Sequence, residues 1–264
     1  MKKTKIAILL SGQLRDWSIA SKIFKMYNEI DINVQYDFFL STWDDSYRGR
    51  KAIDGDFSFL TAYEIIGTSV IVPFQTSCIK QLYLLKRTQQ LKDDYQEEYG
   101  TEYDCVLSTR PDIFLGIDVL LEITRNINRG YLGQNTLFAT NGISEKWTTS
   151  LVERETFQYY HIMNDFYVYG HEKAIKTFAN MYSDIKIKKV LPNYGIHIIP
   201  ATHIVNNNIN CRYSKGFGAP IRYTVVDLFL ENWYTSGKIK EMYTPSKPEI
   251  PREFIYNYQK ASDQ

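Results

Sequence analysis

The feature that most constrains the fold is a short apolar run that ends in polar residues, present three times with helical stretches between the copies. The runs are residues 5–10 (KIAILL), 36–42 (YDFFLST) and 105–107 (CVL), the last within the segment 104–115 (DCVLSTRPDIFL). Each run predicts a buried strand. Strands that alternate with helices are typical of a mostly parallel sheet with helices on its faces. We therefore predict an α/β protein with a Rossmann-like central sheet.

The stretches between the runs have helical periodicity. A helix that begins at Asp16 as its N-cap is predicted from one apolar face, formed by Ile19, Ile23, Tyr27 and Ile30. A longer helix is predicted over residues 78–99, with Gly100 as its C-cap. Residues 68–73 (TSVIVP) predict a further strand.

Length and composition narrow the class of protein. A chain of 264 residues is predicted to form one domain, with a first half over residues 1–115 and a second over 116–264. The net charge of +1 gives no global field that favours nucleic acid or a membrane surface, although a local basic groove stays open. The three cysteines form no CxxC pair, which favours a reducing cytoplasm over a zinc or disulfide framework. No stretch is long enough to span a membrane.

The pattern changes after residue 115. Residues 130–150 are polar and contain glycine, which predicts a long loop. Residues 164–170 (NDFYVYG) predict a strand, followed by an amphipathic helix. The segment 193–208 carries His197 and His203, for which a structural role is favoured over metal binding.

Two candidate binding elements follow predicted strands. Ligands of open α/β sheets bind beyond the carboxyl ends of the strands, and there Arg110 and Asp112 flank a proline that keeps Arg110 extended. We expect both side chains at an exposed edge of the sheet, as a functional site or as a surface ion pair. The loop over residues 11–15 (SGQLR) precedes a helix, whose N-terminus favours phosphate. An ordinary strand-to-helix turn remains the alternative.

A third element is the segment 212–222 (RYSKGFGAPIR), in which Lys215 lies among other cations and two glycines. Such a loop suits closure over a diphosphate, or is a basic surface turn. The chain has no GxGxxG motif and no P-loop motif. The sequence therefore favours neither a standard dinucleotide-binding protein nor a P-loop kinase.

Four segments in this order (KIAILLSGQLR, YDFFLSTWD, DCVLSTRPDIFL and NDFYVYG) resemble small GT-A-type glycosyltransferases of viruses, phages and bacterial polysaccharide loci. The resemblance covers about the first two-thirds of the chain and rests on the order of the four segments and on their positions at predicted strands. It implies a GT-A-like fold and a nucleotide-sugar donor, with UDP-sugar favoured. The activity it implies is transfer of a sugar to an acceptor hydroxyl.

The resemblance also implies roles for particular residues. Ser11, Gly12, Gln13 and Arg15 would hold the nucleotide, and Arg110 and Asp112 would take the place of the DxD motif of this family. Thr109 and Lys215 are further candidate donor-binding residues, which the resemblance itself does not assign. Asp112 matches the carboxylate that binds Mn²⁺ or Mg²⁺ in the DxD motif of this family, whereas Arg110 stands where that motif has its first acid. An arginine there can itself neutralise the leaving diphosphate, which puts the metal dependence in doubt. Asp165 matches the general base that deprotonates the acceptor, with Asp44 and Asp45 as alternatives.

The acceptor is the least constrained part of this reading. The abundance of Ile, Lys, Asn and Tyr fits a low-GC coding sequence, as in many bacteriophages, which favours hydroxymethylcytosine in phage DNA as one acceptor. A surface glycan or a protein hydroxyl fits equally well. Two further classes stay open: a nucleotidyltransferase, and a non-catalytic nucleotide- or sugar-binding module of the same fold.

Overall fold

The computed structural model describes residues 3–15, 17–44, 56–67, 77–140, 143–147, 159–163, 167–183, 198–215 and 218–220. All of them belong to one compact unit, Met1–Ile221. Asp16 and the predicted strand at residues 68–73 lie outside the described residues. The predicted single domain over residues 1–264, with its two halves, stays a prediction.

The described residues form the following strands and helices. The strands are β1 (Thr4–Ser11), β2 (Val34–Trp43), β3 (Ala62–Ile66), β4 (Cys105–Thr109), β5 (Ile113–Leu115), β6 (Thr136–Thr140), β7 (Ile143–Trp147), β8 (Tyr159–Met163), β9 (Tyr167–Gly170), β10 (Asn210–Ser214) and β11 (Gly218–Pro220). The helices are α1 (Trp17–Ile30), α2 (Ser77–Tyr99), α3 (Ile117–Asn128), α4 (Glu172–Ala179) and α5 (Ile198–Asn206). Gly100 has a φ of 63° directly after α2, as a glycine C-cap requires.

Seven strands form one mixed sheet in the order β10-β6-β9-β4-β1-β2-β3. Strand β1 pairs in parallel with β2 and β4, β2 pairs in parallel with β3, and β6 pairs in parallel with β10. Strand β9 is antiparallel to both of its neighbours, β4 and β6. The prediction of an α/β protein with a mostly parallel sheet flanked by helices is confirmed. Among the described residues, no helix combines the length and the apolar character needed to cross a membrane.

Helices α1 and α2 cover opposite faces of the sheet. On β2, the ring of Phe38 lies 6.1 Å from that of Phe24 in α1, whereas the next residue, Phe39, lies 5.6 Å from Tyr95 in α2. Successive strand side chains point to opposite faces, so these two contacts assign one helix to each face. The core on the α2 face continues through α4 and α5.

Two predicted loops are strands in part. The prediction of a long loop over residues 130–150 was wrong, because this segment contains β6 and β7, and β6 is an inner strand of the main sheet. The close approach of β6 to β9 requires a glycine, since a Cβ at Gly170 would lie 2.4 Å from the carbonyl oxygen of Thr136. The prediction of a loop over residues 212–222 was also wrong in part, because the segment includes the end of β10, at Ser214, and all of β11, which pairs antiparallel with β5.

Candidate functional site

The carboxyl ends of β1 and β4 meet where the strand order reverses. From β1 the chain goes first to β2 on one side, and it reaches β4 on the other side only after α2. Open α/β sheets bind ligands outside the strand ends at such a switch point. Leu10 pairs in register with Thr109, so residues 11–15 and 109–112 leave the sheet side by side. We call these two segments the switch-point corner.

Gly12 allows the two segments to approach each other closely. Its φ is 145°, a conformation that glycine adopts readily and other residues rarely do. A Cβ at this position would lie 3.3 Å from Cδ of Pro111. The amide of Gly12 donates to the carbonyl oxygen of Ser41, which ties the loop to β2 as well.

Arg110 and Asp112 form a two-point ion pair across Pro111. The Nε of Arg110 donates to Oδ1 of Asp112 at 2.8 Å, and Nη2 donates to Oδ2 at 2.7 Å. Parallel hydrogen bonds of this kind fix both the position and the plane of a guanidinium. The expectation of an exposed edge holds only in part, because the side chain of Asp112 is 8% exposed and that of Arg110 is 21% exposed.

Arg15 joins the same carboxylate from the neighbouring loop. Its Nη1 lies 3.5 Å from Oδ2 of Asp112, and its side chain is 40% exposed. Gln13 holds the other side of this guanidinium, because its Oε1 accepts from Nη2 at 3.0 Å and from Nε at 3.3 Å. Two cations therefore share one carboxylate, and these three groups together carry one net positive charge.

A small pocket adjoins Arg110 on the α2 face of the sheet. Ser11, Ser108 and Arg110 supply polar groups, and the remaining lining comes from Gln81, Leu82, Leu85, Thr109, Val168, Phe178, Met181 and Pro200. Its volume of about 40 Å³ is room for about three water molecules. The pocket thus suits water or a small substituent of a ligand.

A second polar network at this edge was not predicted from the sequence. Ser41, at the end of β2, donates to Oε1 of Glu64 at 2.8 Å. Arg87 of α2 holds both oxygens of Glu64, at 3.1 and 2.7 Å, and the hydrogen bonding raises the pKa of Arg87. No sequence signal indicated this network, because Glu64 lies in β3, a strand that the apolar pattern did not predict.

The other predicted site residues lie elsewhere or outside the described part. Lys215 is at the same edge of the sheet but follows β10, three strands away from β4, which is roughly 14 Å. Its amide donates to Oε2 of Glu122 at 2.9 Å. Asp44 follows β2 and is exposed. Asp45, Asp165 and His197 lie outside the described residues.

The described residues do not fit the divalent cation that the resemblance implies. Both oxygens of Asp112 already accept hydrogen bonds from guanidinium groups. Mg²⁺ and Mn²⁺ need several oxygen ligands. In the part of the chain that the structure describes, no group of three or more His, Cys, Asp or Glu side chains could hold a metal ion.

His203 and the described cysteines have structural surroundings. Nε2 of His203, in α5, lies 2.8 Å from the carbonyl oxygen of Thr177 in α4, so the ring links two helices. Burial raises the pKa of Cys105 far above its usual range and that of Cys211 to about 11. Both thiols are therefore protonated at neutral pH, whereas a nucleophilic cysteine needs the thiolate.

Comparison with known protein families and with curated proteins found no match. The chemistry of the switch-point corner is therefore the basis for assigning a function. Two guanidiniums lie beside a glycine turn, and one of them, Arg15, comes two residues before Trp17, the first residue of α1. Guanidiniums and helix N-termini both favour phosphate-like anions.

Proposed function

We propose that this chain is a GT-A-like glycosyltransferase that moves a sugar from a nucleoside-diphosphate sugar, UDP-sugar foremost, to an acceptor hydroxyl. The observation that carries the proposal is the convergence of Arg15 and Arg110 on Asp112 at the switch point. A sheet of this topology binds its ligand there. The ligand that best matches two guanidiniums and a helix N-terminus is a diphosphate.

The reaction gives each group a role. The bond between the sugar carbon and the phosphate oxygen breaks, and its electron pair stays on the diphosphate. The new bond forms between that carbon and the acceptor oxygen, which loses its proton to a base. Charge that develops on the leaving group is best stabilised by fixed cations already in place. Arg110 is such a cation, because Asp112 holds it at two points.

Asp165 is the proposed base. It is two residues from Tyr167, whose backbone pairs with Thr109 of the switch-point corner. A carboxylate is a suitable acceptor for the hydroxyl proton. The acceptor itself is a surface glycan, a protein hydroxyl or hydroxymethylcytosine in DNA.

A transfer assay tests the proposal. Purified protein is incubated with radiolabelled UDP-sugars and three acceptors: bacterial surface polysaccharide, DNA that contains hydroxymethylcytosine, and the same DNA with unmodified cytosine. We expect label on one modified or glycan acceptor, and its loss in Asp165→Asn. The matched control is Asp94→Asn, an exposed carboxylate of α2 with the same change in charge. Nucleotide binding with no transfer or hydrolysis of any donor would instead favour a non-catalytic binding module.

A further inference from the structure

We infer that the leaving diphosphate is neutralised by Arg110 and Arg15 instead of a metal ion, and that Asp112 positions these arginines. This inference rests on the proposed function and deepens it. It departs from the metal-binding carboxylate that the resemblance implies at Asp112.

The first argument is the occupancy of the carboxylate. Oδ1 of Asp112 accepts from Nε of Arg110, and Oδ2 accepts from Nη2 of Arg110 and lies 3.5 Å from Nη1 of Arg15. A divalent cation bound to Asp112 would have to displace at least one of these guanidiniums. It would also bring two more positive charges next to two cations, which is unfavourable at such short distances.

The second argument is the order of burial. The side chain of Asp112 is 8% exposed, whereas those of Arg110 and Arg15 are 21% and 40% exposed. The carboxylate therefore lies beneath the guanidiniums, and solvent reaches the cations more readily than the anion. A metal site needs the reverse order, with carboxylate oxygens directed at the ligand. An anion that enters the corner meets guanidinium groups first.

The third argument is that both arginines are oriented in advance. Asp112 fixes Arg110 at two points, and Gln13 holds Arg15 at two points through Oε1. Orientation before binding lowers the entropic cost of binding a ligand. Arg110, the more buried of the two, is expected to contribute more to affinity than Arg15.

The experiment is calorimetric titration of UDP into the full chain, once with excess EDTA and once with Mn²⁺. We expect dissociation constants within about twofold of each other, because no metal takes part. Arg110→Lys keeps the charge but not the planar two-point geometry, and we expect roughly tenfold weaker binding. Arg110→Gln also removes the charge, and we expect roughly 10- to 100-fold weaker binding. Arg125→Gln, an exposed arginine of α3, is the matched control and binds as the wild type does.

Asp112→Asn separates positioning from metal binding. As a positioning residue, it should lose affinity equally with EDTA and with Mn²⁺; as a metal ligand, it should lose affinity only with Mn²⁺. Because Asp112 is buried, this variant can unfold, but the wild-type comparison with and without EDTA needs no substitution. UDP binding that requires Mn²⁺ would overturn the inference and leave the proposed function standing. If UDP binds neither with EDTA nor with Mn²⁺, both this inference and the proposed function are contradicted.

Discussion

Gly12 and Pro111 lie in direct contact across the switch point: a Cβ on Gly12 would come within 3.3 Å of the Pro111 ring. One residue follows β1 and the other follows β4. Their contact sets the spacing between the loop that carries Arg15 and the turn that carries Arg110.

Gly12→Ala is expected to weaken UDP binding as well as stability. A non-glycine residue at a φ of 145° is strained, at a cost of about 1–3 kcal/mol in the free energy of unfolding. The added methyl also presses on Pro111 and moves the two arginines apart. Gly130→Ala is the control, because Gly130 also has a positive φ but open space around its Cβ position. Denaturant unfolding and UDP titration should show that both variants lose stability and that only Gly12→Ala loses affinity.

An ion network between α2 and α4 predicts acid sensitivity. Burial opposes the charge of Asp93, but hydrogen bonds and charge from Lys176 and Lys92, at 2.9 and 3.0 Å, outweigh it and lower the pKa of Asp93. The folded state therefore favours ionised Asp93. The contribution of ionised Asp93 to the free energy of unfolding is complete above about pH 4, which is near the pKa of an aspartate in the unfolded chain. It disappears as the pH falls through the lower pKa that Asp93 has in the folded state.

Asp93→Asn should therefore be less stable than the wild type at pH 7, and the difference should shrink below about pH 4. The measurement is the free energy of unfolding in urea as a function of pH. Asp94→Asn removes the same charge from the adjacent, exposed position and serves as the control. An equal pH dependence in wild type and Asp93→Asn would contradict the assigned role.

Lys92 is fully buried, and its ammonium lies 2.6 Å from Oε1 of Glu172. Its volume and its charge can be tested separately. Lys92→Met keeps most of the volume, and we expect a loss of less than about 1.5 kcal/mol, since Glu172 and Asp93 are partly exposed and can be hydrated. Lys92→Ala also leaves a cavity, and we expect a loss of about 2–5 kcal/mol. If thermal unfolding showed the same loss of stability for Lys92→Met and Lys92→Ala, the lost ion pair, and not the cavity, would account for the loss.

The sequence predicted the elements whose signal is strong within a single segment. Continuous apolar runs gave β1, β2 and β4, and sustained helical periodicity gave α1 and α2. The prediction failed at β6, where five residues directly follow a stretch with Gly130, Gly133 and Asn135. That strand is specified by pairing with β9 and β10, which are distant in sequence.

The candidate site, like the fold, could be predicted from the sequence only in part. The position of Arg110 and Asp112 at a strand end could be predicted, because Pro111 interrupts the chain there. The approach of Arg15 could not, since it depends on the register of β1 against β4 and on the contact between Gly12 and Pro111. The assignment of Asp112 as a metal ligand rested on the resemblance and stays a prediction, whereas the ion pair between Arg110 and Asp112, which the sequence also allowed, is present in the structure.

The most direct test of a donor site at the switch point is hydrogen–deuterium exchange of the full chain with and without saturating UDP. We expect UDP to slow exchange at residues 11–15 and 109–113 together, because both segments line the same corner. Amides of α3, which form their own helical hydrogen bonds, should change little. Slowed exchange only at other segments, or none anywhere, would contradict the account.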